Sequence, residues 1–135
     1  MWHGERLLLV RTCYRRLHAL PGGFLRRGEP PAIGAAREVR EELAVELAPG
    51  ILTEVWRGAR RFEHRDDTIT IFAARVDRAP EVRIDHREIE WAGWVTRDEA
   101  LARPLLPHVR DYLDAAPQDA CLSRGNAGDP QAKLS

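Results

Sequence analysis

Three glutamates, Glu38, Glu41 and Glu42, lie close together in a segment whose apolar residues recur with helical spacing. Residues three and four apart are neighbours on a helix surface, so these carboxylates share one arc of the helix. Carboxylates this close repel one another unless a positive charge lies among them. Arg37 is within reach of Glu41 at i, i+4, but one guanidinium cannot neutralise three acids. Because carboxylate oxygens suit Mg²⁺ or Mn²⁺ better than zinc, the segment predicts a divalent-cation site.

An apolar stripe predicts the helix that carries these acids. Its members, spaced 4, 3 and 4 apart, are Ala32, Ala36, Val39 and Leu43. Pro30 and Pro31 stand where the helix would begin, a position that tolerates proline because the first N–H groups lack partners. A helix of this pattern alone is most often an ordinary solvated amphipathic helix. The Leu20–Gly23 turn and Glu29 ahead of it favour a functional site instead.

The stretch from Gly23 to Val45 resembles the Nudix box. Its defining residues, in order and with the family's spacing, are Gly23, Glu29, Arg37-Glu38-Val39, Glu41-Glu42 and Ala44-Val45. The family has Gly where this chain has Ala44, and every other defining position matches. If residue 44 is left-handed, Ala costs about 1 kcal/mol relative to Gly, and we expect a slightly shifted helix end rather than a lost site.

The resemblance implies hydrolysis of a pyrophosphate bond in a nucleoside diphosphate linked to another moiety, of the ADP-ribose, sugar-nucleotide or nucleoside triphosphate type. It implies Mg²⁺ as the cofactor, with Mn²⁺ as an alternative. Carried over by position, Glu38 and Glu42 are metal ligands, and Glu41 is a ligand or binds through water. Glu29 binds metal or steadies its loop through Arg37, which orients the acids. A nucleotide-type small molecule is the expected partner.

The general base is not fixed by the box. Our candidate is Glu88, which directly precedes the predicted strand 89–95, and we count it among the catalytic residues with Glu41, Glu42 and Arg37. Glu63, Glu90 and Glu41 compete for the role. An ordinary surface acid is an equally good interpretation of Glu88.

Several residues are candidates for binding the substrate. Arginines present the donors that phosphates need, and we select Arg26, Arg27 and Arg60, although exposed arginines usually bind nothing specific. Phe62 is a candidate for stacking on a base, with packing within a hairpin as the alternative. Subfamily signs that follow the box in some relatives are absent, since Arg60 and Phe62 occupy those offsets. The sequence leaves the identity of the nucleotide open.

The rest of the chain predicts strands around this helix. Apolar runs and alternating patterns predict strands at Arg6–Arg11, Ile51–Phe62, Thr68–Val76 and Glu88–Val95, and helices after Thr96 or Asp98 and over Leu105–Ala115. We place a loop of about five residues between the second and third of these strands. The fold class is therefore α+β, and the resemblance implies the α/β/α sandwich with a mixed β-sheet.

A strand that usually precedes the first of these in the family is missing or short here. The sheet edge is then open, or a partner chain covers it, or the true start lies upstream. Proteins usually hide uncovered strand edges, so we predict a homodimer.

Length and charge bound the remaining possibilities. The 135 residues suit one domain, which we place at 1–116, with a disordered tail at 117–135. Lys+Arg and Asp+Glu are both 21, and this balance argues against nucleic-acid partners, including capped or triphosphorylated RNA ends. No apolar run is long enough for a membrane span or signal peptide, which predicts a cytoplasmic protein. The competing function is a catalytically weak nucleotide-binding or regulatory module.

Overall fold

The computed structural model describes residues 1–62 and 64–115. Its strands are β1 (Trp2–His3), β2 (Arg6–Thr12), β3 (His18–Ala19), β4 (Thr53–Phe62), β5 (Arg65–Ala73) and β6 (Ile89–Thr96). Its helices are α1 (Pro31–Leu43), α2 (Arg97–Leu101) and α3 (Pro107–Ala115), with a short 3₁₀ turn at Pro49–Ile51. The predicted tail, 117–135, lies outside the described residues, so the domain boundary stays a prediction.

Strand β2 is the centre of the main sheet. Strand β6 runs antiparallel to it along its whole length, from Arg6 opposite Thr96 to Thr12 opposite Ile89. On its other side β2 pairs with β1 at one end and with β3 at the other, both antiparallel. A parallel bridge between Trp2 and Arg75 joins the β4–β5 hairpin to this sheet through β1. The sheet is therefore mixed, as predicted.

The two faces of β2 are covered by different helices, because successive side chains on a strand point to opposite faces. On one face a buried core joins β2 to α2 and α3 through Leu7, Leu9, Ala100, Val109 and Leu113. On the other face a second core joins β2 to α1 through Leu8, Val10, Val39, Leu43 and Ile89. This arrangement confirms the predicted α/β/α sandwich, in which α1 packs on β2 and β6.

The first strand is short rather than missing. Trp2 of β1 donates its N–H to the Ala74 carbonyl at 2.7 Å and accepts the Val76 N–H at 2.9 Å. Its indole lies in the core with only 4% of its surface exposed. Strand β1 thus fills the position that we considered open. The homodimer stays a prediction, but an open sheet edge at this position no longer supports it.

The β4–β5 hairpin turns more tightly than predicted. Strand β5 begins at Arg65 rather than Thr68, and the register places Phe62 opposite Arg65. The predicted polar loop is part of the strand because its acids face arginines across the hairpin. Asp67 lies opposite Arg60, and Asp66 lies opposite Arg61. Such opposite charges favour cross-strand pairing, so residues 65–67 belong to the strand although they are polar.

A capping box at Thr96 separates β6 from α2, and Thr96 is one of the two residues predicted to cap this helix. The Thr96 hydroxyl accepts the Glu99 N–H at 3.2 Å, and the Glu99 carboxylate accepts the Thr96 N–H at 2.8 Å. Both groups would otherwise lack partners at the start of α2. In the part of the chain that the structure describes, no helix is long and apolar enough to cross a membrane.

Candidate active site

Helix α1 carries the predicted acids, but the slightly shifted helix end that we expected from Ala44 is wrong. It begins at Pro31 and ends at Leu43, and Ala44 follows in the left-handed conformation with φ 56° and ψ 34°. The Ala44 N–H donates to the Arg40 carbonyl at 3.0 Å. Residue 44 therefore takes the conformation that favours glycine, and the alanine adopts it without displacing the helix end.

Arg37 is the electrostatic centre of the site. Its Nε donates to Glu29 Oε2 at 2.7 Å and its Nη2 donates to Glu29 Oε1 at 2.8 Å. Its Nη1 donates to Glu38 and to Glu41, both at 3.0 Å, and Nη2 also reaches the Phe24 carbonyl at 3.2 Å. The hydrogen bonds to Glu29 and Glu38 raise the pKa of Arg37. Arg37 thus joins α1 to the loop through Glu29 and the Phe24 carbonyl, and it also pairs with two acids of its own helix.

Glu29 is held by both the helix and its own loop. The two-point hydrogen bonding from Arg37 and the Arg26 N–H, which donates to Glu29 Oε1 at 3.0 Å, together lower the pKa of Glu29 to about 2. Glu29 is therefore ionised at neutral pH and serves as a brace for the loop over α1.

Glu42 stands apart from this network, because Arg37 does not reach it. Its side chain is buried, and Oε2 accepts the Gly22 N–H at 3.1 Å. Burial raises the pKa of Glu42 to about 7, opposed by the Gly22 hydrogen bond and reinforced by the negative charges of Glu38, Glu88 and Glu41. A carboxylate in such surroundings is stabilised by added positive charge.

The segment before β6 contacts the end of α1, where the Arg83 N–H donates to the Leu43 carbonyl at 2.9 Å. The Asp85 carboxylate accepts the N–H groups of Arg87 at 2.9 Å and Glu88 at 3.2 Å, and the Cys13 N–H donates to the Glu88 carbonyl at 2.8 Å. The Glu88 side chain is exposed, and its charge acts on the pKa of Glu42. The structure therefore brings together two parts of the chain that the sequence separates by more than forty residues.

Comparison with known proteins identifies this arrangement. The NUDIX domain family model matches residues 2–116. The chain belongs to the Nudix family. A MutT-like protein of Streptomyces ambofaciens is 31% identical over 110 residues, which are 82% of this chain and 68% of that protein.

Solved structures share the fold at lower identity. A MutT NUDIX hydrolase from Burkholderia pseudomallei has a TM-score of 0.75 at 23% identity, covering 87% of this chain and 92% of that one. A C. elegans Ap4A hydrolase in a binary complex has a TM-score of 0.68 at 18% identity, covering 81% of each chain. The family and the fold confirm the Nudix-type pyrophosphohydrolase predicted from the box.

Two glycines let the Nudix loop approach its helix. A Cβ on Gly23 would lie 2.8 Å from the carboxyl carbon of Glu38. A Cβ on Gly34, inside α1, would lie 2.3 Å from Leu25 Cδ2 and 2.9 Å from Glu29 Oε1. Gly34 was not predicted from the sequence as part of the site, although a glycine within a predicted helix signals a close approach of this kind.

The competing general bases have other partners. Glu90 accepts Arg11 Nε at 2.6 Å, and Glu41 accepts both Arg37 at 3.0 Å and Arg26 Nη2 at 3.1 Å. Glu63 lies outside the described residues. Glu88 is therefore the exposed acid beside Glu42 that the described contacts leave available.

The predicted substrate-binding residues are dispersed. Arg26 lies in the site through its ion pair with Glu41, and Arg27 is exposed with no ion pair in the described part of the chain. Arg60 lies on β4 and pairs with Asp111 of α3 at 3.1 Å. Phe62 ends β4, and its side chain is not among those that the structure describes.

The donor set suits a divalent cation, although Arg37 pairs with Glu29, Glu38 and Glu41, and Glu42 accepts the Gly22 N–H instead. Within residues 1–62 and 64–115, no group of three or more His, Cys, Asp or Glu side chains converges at metal-binding distances. The donors are nevertheless all carboxylate oxygens, which Mg²⁺ prefers. The buried Glu42 carboxylate also lies in the negative field of Glu38, Glu41 and Glu88, which a cation would relieve. These residues therefore fit the cation that the family implies.

Proposed function

We propose that this Nudix protein catalyses Mg²⁺-dependent hydrolysis of a pyrophosphate bond in a nucleoside diphosphate linked to another moiety. The observation that carries the proposal is Glu42, a carboxylate of α1 that is only 8% exposed and accepts the Gly22 N–H at 3.1 Å, on the helix that also carries Glu38 and Glu41. A structural helix has no need to bury a carboxylate beside two further acids. A site that binds a cation together with a diphosphate does.

The acids of α1 hold the cation. Glu38 and Glu42 are the proposed ligands, with Glu41 as a third ligand or one that acts through water. Divalent magnesium, with manganese as an alternative, supplies charge screening of the diphosphate and activation of water when it is bound. Glu29 serves mainly as the brace that its contacts with Arg37 suggest, because both its oxygens already accept hydrogen bonds.

Arg37 is a positioning residue in this proposal. Its Nη1 donates to Glu38 and Glu41, and its Nε and Nη2 donate to Glu29. Arg37 therefore fixes the spacing between the loop and the helix. Its side chain is only 9% exposed, which leaves it little contact with a substrate. Its proposed catalytic contribution is therefore the placement of the acids.

Glu88 is the proposed general base. Its main chain is anchored by Asp85 and Cys13, while its carboxylate is exposed and close enough to Glu42 to affect that group's pKa. An acid in this position accepts the proton of the attacking water as the P–O bond forms.

The substrate class is a nucleotide-type diphosphate. Its phosphates require cationic partners beyond the metal, and Arg27 and Arg60 are the proposed contacts, with Arg26 reaching the site beside Glu41. Phe62 remains a proposed stacking residue. The C. elegans relative named as an Ap4A hydrolase supports including dinucleoside polyphosphates with ADP-ribose, sugar nucleotides and nucleoside triphosphates. A cytoplasmic location and a homodimer complete the proposal.

The test is product release from such a panel, with Mg²⁺ and with Mn²⁺. Glu42→Gln removes the central carboxylate charge and is expected to reduce turnover by orders of magnitude while the protein stays folded. Full activity in that variant would refute the proposal. A folded wild-type protein that binds nucleotides tightly without releasing product would identify a binding module instead.

A further inference from the structure

A second charged feature lies beside the proposed active site and has the opposite sign. The loop that joins β2 to β3 borders an open cavity of about 450 Å³. The residues that line it are Arg11, Cys13, Tyr14, Arg15, Arg16 and Glu90. No function described above uses this cavity.

The lining carries unbalanced positive charge. Arg11 is neutralised by Glu90, whose carboxylate lies 2.6 Å from its Nε. Arg15 and Arg16 are both exposed, and neither has an ion pair within residues 1–62 and 64–115. The Arg15 guanidinium lies 5.7 Å from the centre of the Tyr14 ring, a contact that orients the cation without neutralising it. The cavity therefore presents two available guanidinium groups, the donors best suited to phosphate.

Backbone contacts place the cavity next to the proposed general base. Cys13 lines the cavity, and its N–H donates to the Glu88 carbonyl at 2.8 Å. The segment that leads to Glu88 contacts the end of α1, where the Arg83 N–H donates to the Leu43 carbonyl at 2.9 Å. A ligand whose diphosphate lies at the acids of α1 can thus extend past Glu88 towards Arg15 and Arg16.

We infer that this cavity binds the phosphates of the substrate that lie beyond the cleaved bond. The inference rests on the proposed function and narrows its substrate class. It favours substrates with at least one phosphate beyond the two that flank the cleaved bond, such as nucleoside triphosphates and dinucleoside polyphosphates. ADP-ribose and sugar nucleotides have no such phosphate, so they gain nothing from the two arginines.

Anion binding tests the site without turnover. The probe is inorganic tripolyphosphate, titrated calorimetrically into the metal-free protein. The variant R15Q/R16Q is expected to bind it at least about tenfold more weakly, because charge-assisted hydrogen bonds are lost. The control R57Q/R83Q removes the same charge from two exposed arginines that pair with Glu54 and Glu81, and it should bind like the wild type. Equal affinity in wild type and R15Q/R16Q would overturn the site whether or not the protein is an enzyme.

Kinetics then test what the site binds. In R15Q/R16Q the KM for a nucleoside triphosphate should rise about tenfold or more with kcat retained, while the KM for ADP-ribose stays unchanged. Tripolyphosphate should inhibit the wild type competitively. Non-competitive inhibition, or an equal rise of KM for both substrates, would overturn the assignment to the substrate's own phosphates. Absence of turnover with every substrate, together with arginine-dependent tripolyphosphate binding, would refute the proposed function and leave only the anion site.

Discussion

Arg37 and Glu29 form a two-point ion pair, with Nε 2.7 Å from Oε2 and Nη2 2.8 Å from Oε1. A planar guanidinium can make this pair and still donate to Glu38 and Glu41 through its remaining nitrogen. The Nudix loop and its helix are thereby joined through a single side chain. The properties of the site depend on that geometry as well as on its charge.

Arg37→Lys should destabilise the protein although it keeps the positive charge. A lysine ammonium is a compact point charge, so it cannot reproduce the two-point pair while also reaching the other acids. We expect a clearly lower urea midpoint and lower turnover. The matched control is Arg40→Lys, an exposed position on the same helix, which should leave both unchanged. Equal stability of the two variants would contradict the role of the guanidinium geometry.

The same pair predicts how stability depends on pH. The pKa of Glu29 is about 2 in the folded protein, below its ordinary value of 4.5. The unfolded chain therefore protonates Glu29 more readily than the folded protein does. The stability that ionised Glu29 contributes is complete above pH 4.5 and is lost as the pH falls towards 2. Urea midpoints measured across this range should fall more steeply for the wild type than for Glu29→Gln. Parallel curves would refute the prediction, and Glu54→Gln on β4 serves as the surface control.

Gly23→Ala should weaken metal binding. The added Cβ would lie 2.8 Å from the carboxyl carbon of Glu38, closer than such atoms approach, so that carboxylate must move. Mn²⁺ titration should show a lower affinity, and turnover should fall with it. Gly50→Ala is the control, because nothing lies within 4 Å of its added Cβ. Unchanged Mn²⁺ affinity in Gly23→Ala would show that Glu38 is not a ligand.

Ala44→Gly should stabilise the protein. Ala44 has φ 56°, and a Cβ in the left-handed conformation costs about 1 kcal/mol, so glycine should raise the free energy of unfolding by about that amount. The same substitution within α1, Ala35→Gly, should lower it by about 1 kcal/mol because glycine is a poor helix former. Denaturant unfolding shows whether each substitution raises or lowers the free energy of unfolding. A decrease for Ala44→Gly would contradict the strain assigned to this residue.

Glu88→Gln should reduce kcat by about 10²–10⁴-fold if this residue is the base. Metal affinity should stay close to that of the wild type, because Glu88 is not a proposed ligand. Glu81→Gln changes another exposed acid of the same connecting segment and should have no effect. A Glu88→Gln variant with wild-type kcat would return the role to Glu90, Glu63 or Glu41.

Local signals predicted most of the fold. The end of α1 at Leu43 and the Thr96 cap were read from the residues that form them. Strands β1 and β3 were missed because each has two residues and exists only through pairing with β2. The hairpin loop was predicted too long because Asp66 and Asp67 lie opposite arginines of β4, a pairing that no local pattern reveals.

The candidate site also combines features that the sequence predicts with features that depend on the fold. Glu38, Glu41 and Glu42 could be placed on one helix surface from their spacing, and Glu29 from the Nudix box. That Arg37 would contact three acids and leave Glu42 apart depends on how the loop folds over α1, which the spacing does not specify. The approach of Glu88 to Glu42 depends on the pairing of β6 with β2, a contact between distant parts of the chain.

The segment that carries Glu88 is held through the main-chain groups of residues 87 and 88. Asp85 accepts the N–H groups of residues 87 and 88, and the Cys13 N–H donates to the carbonyl of residue 88. None of these bonds involves the Glu88 side chain, so a different residue at this position would leave the segment's shape intact. Evolution can therefore exchange the reactive group at position 88 without rebuilding its support, and chemistry and scaffold are free to diverge independently at this point.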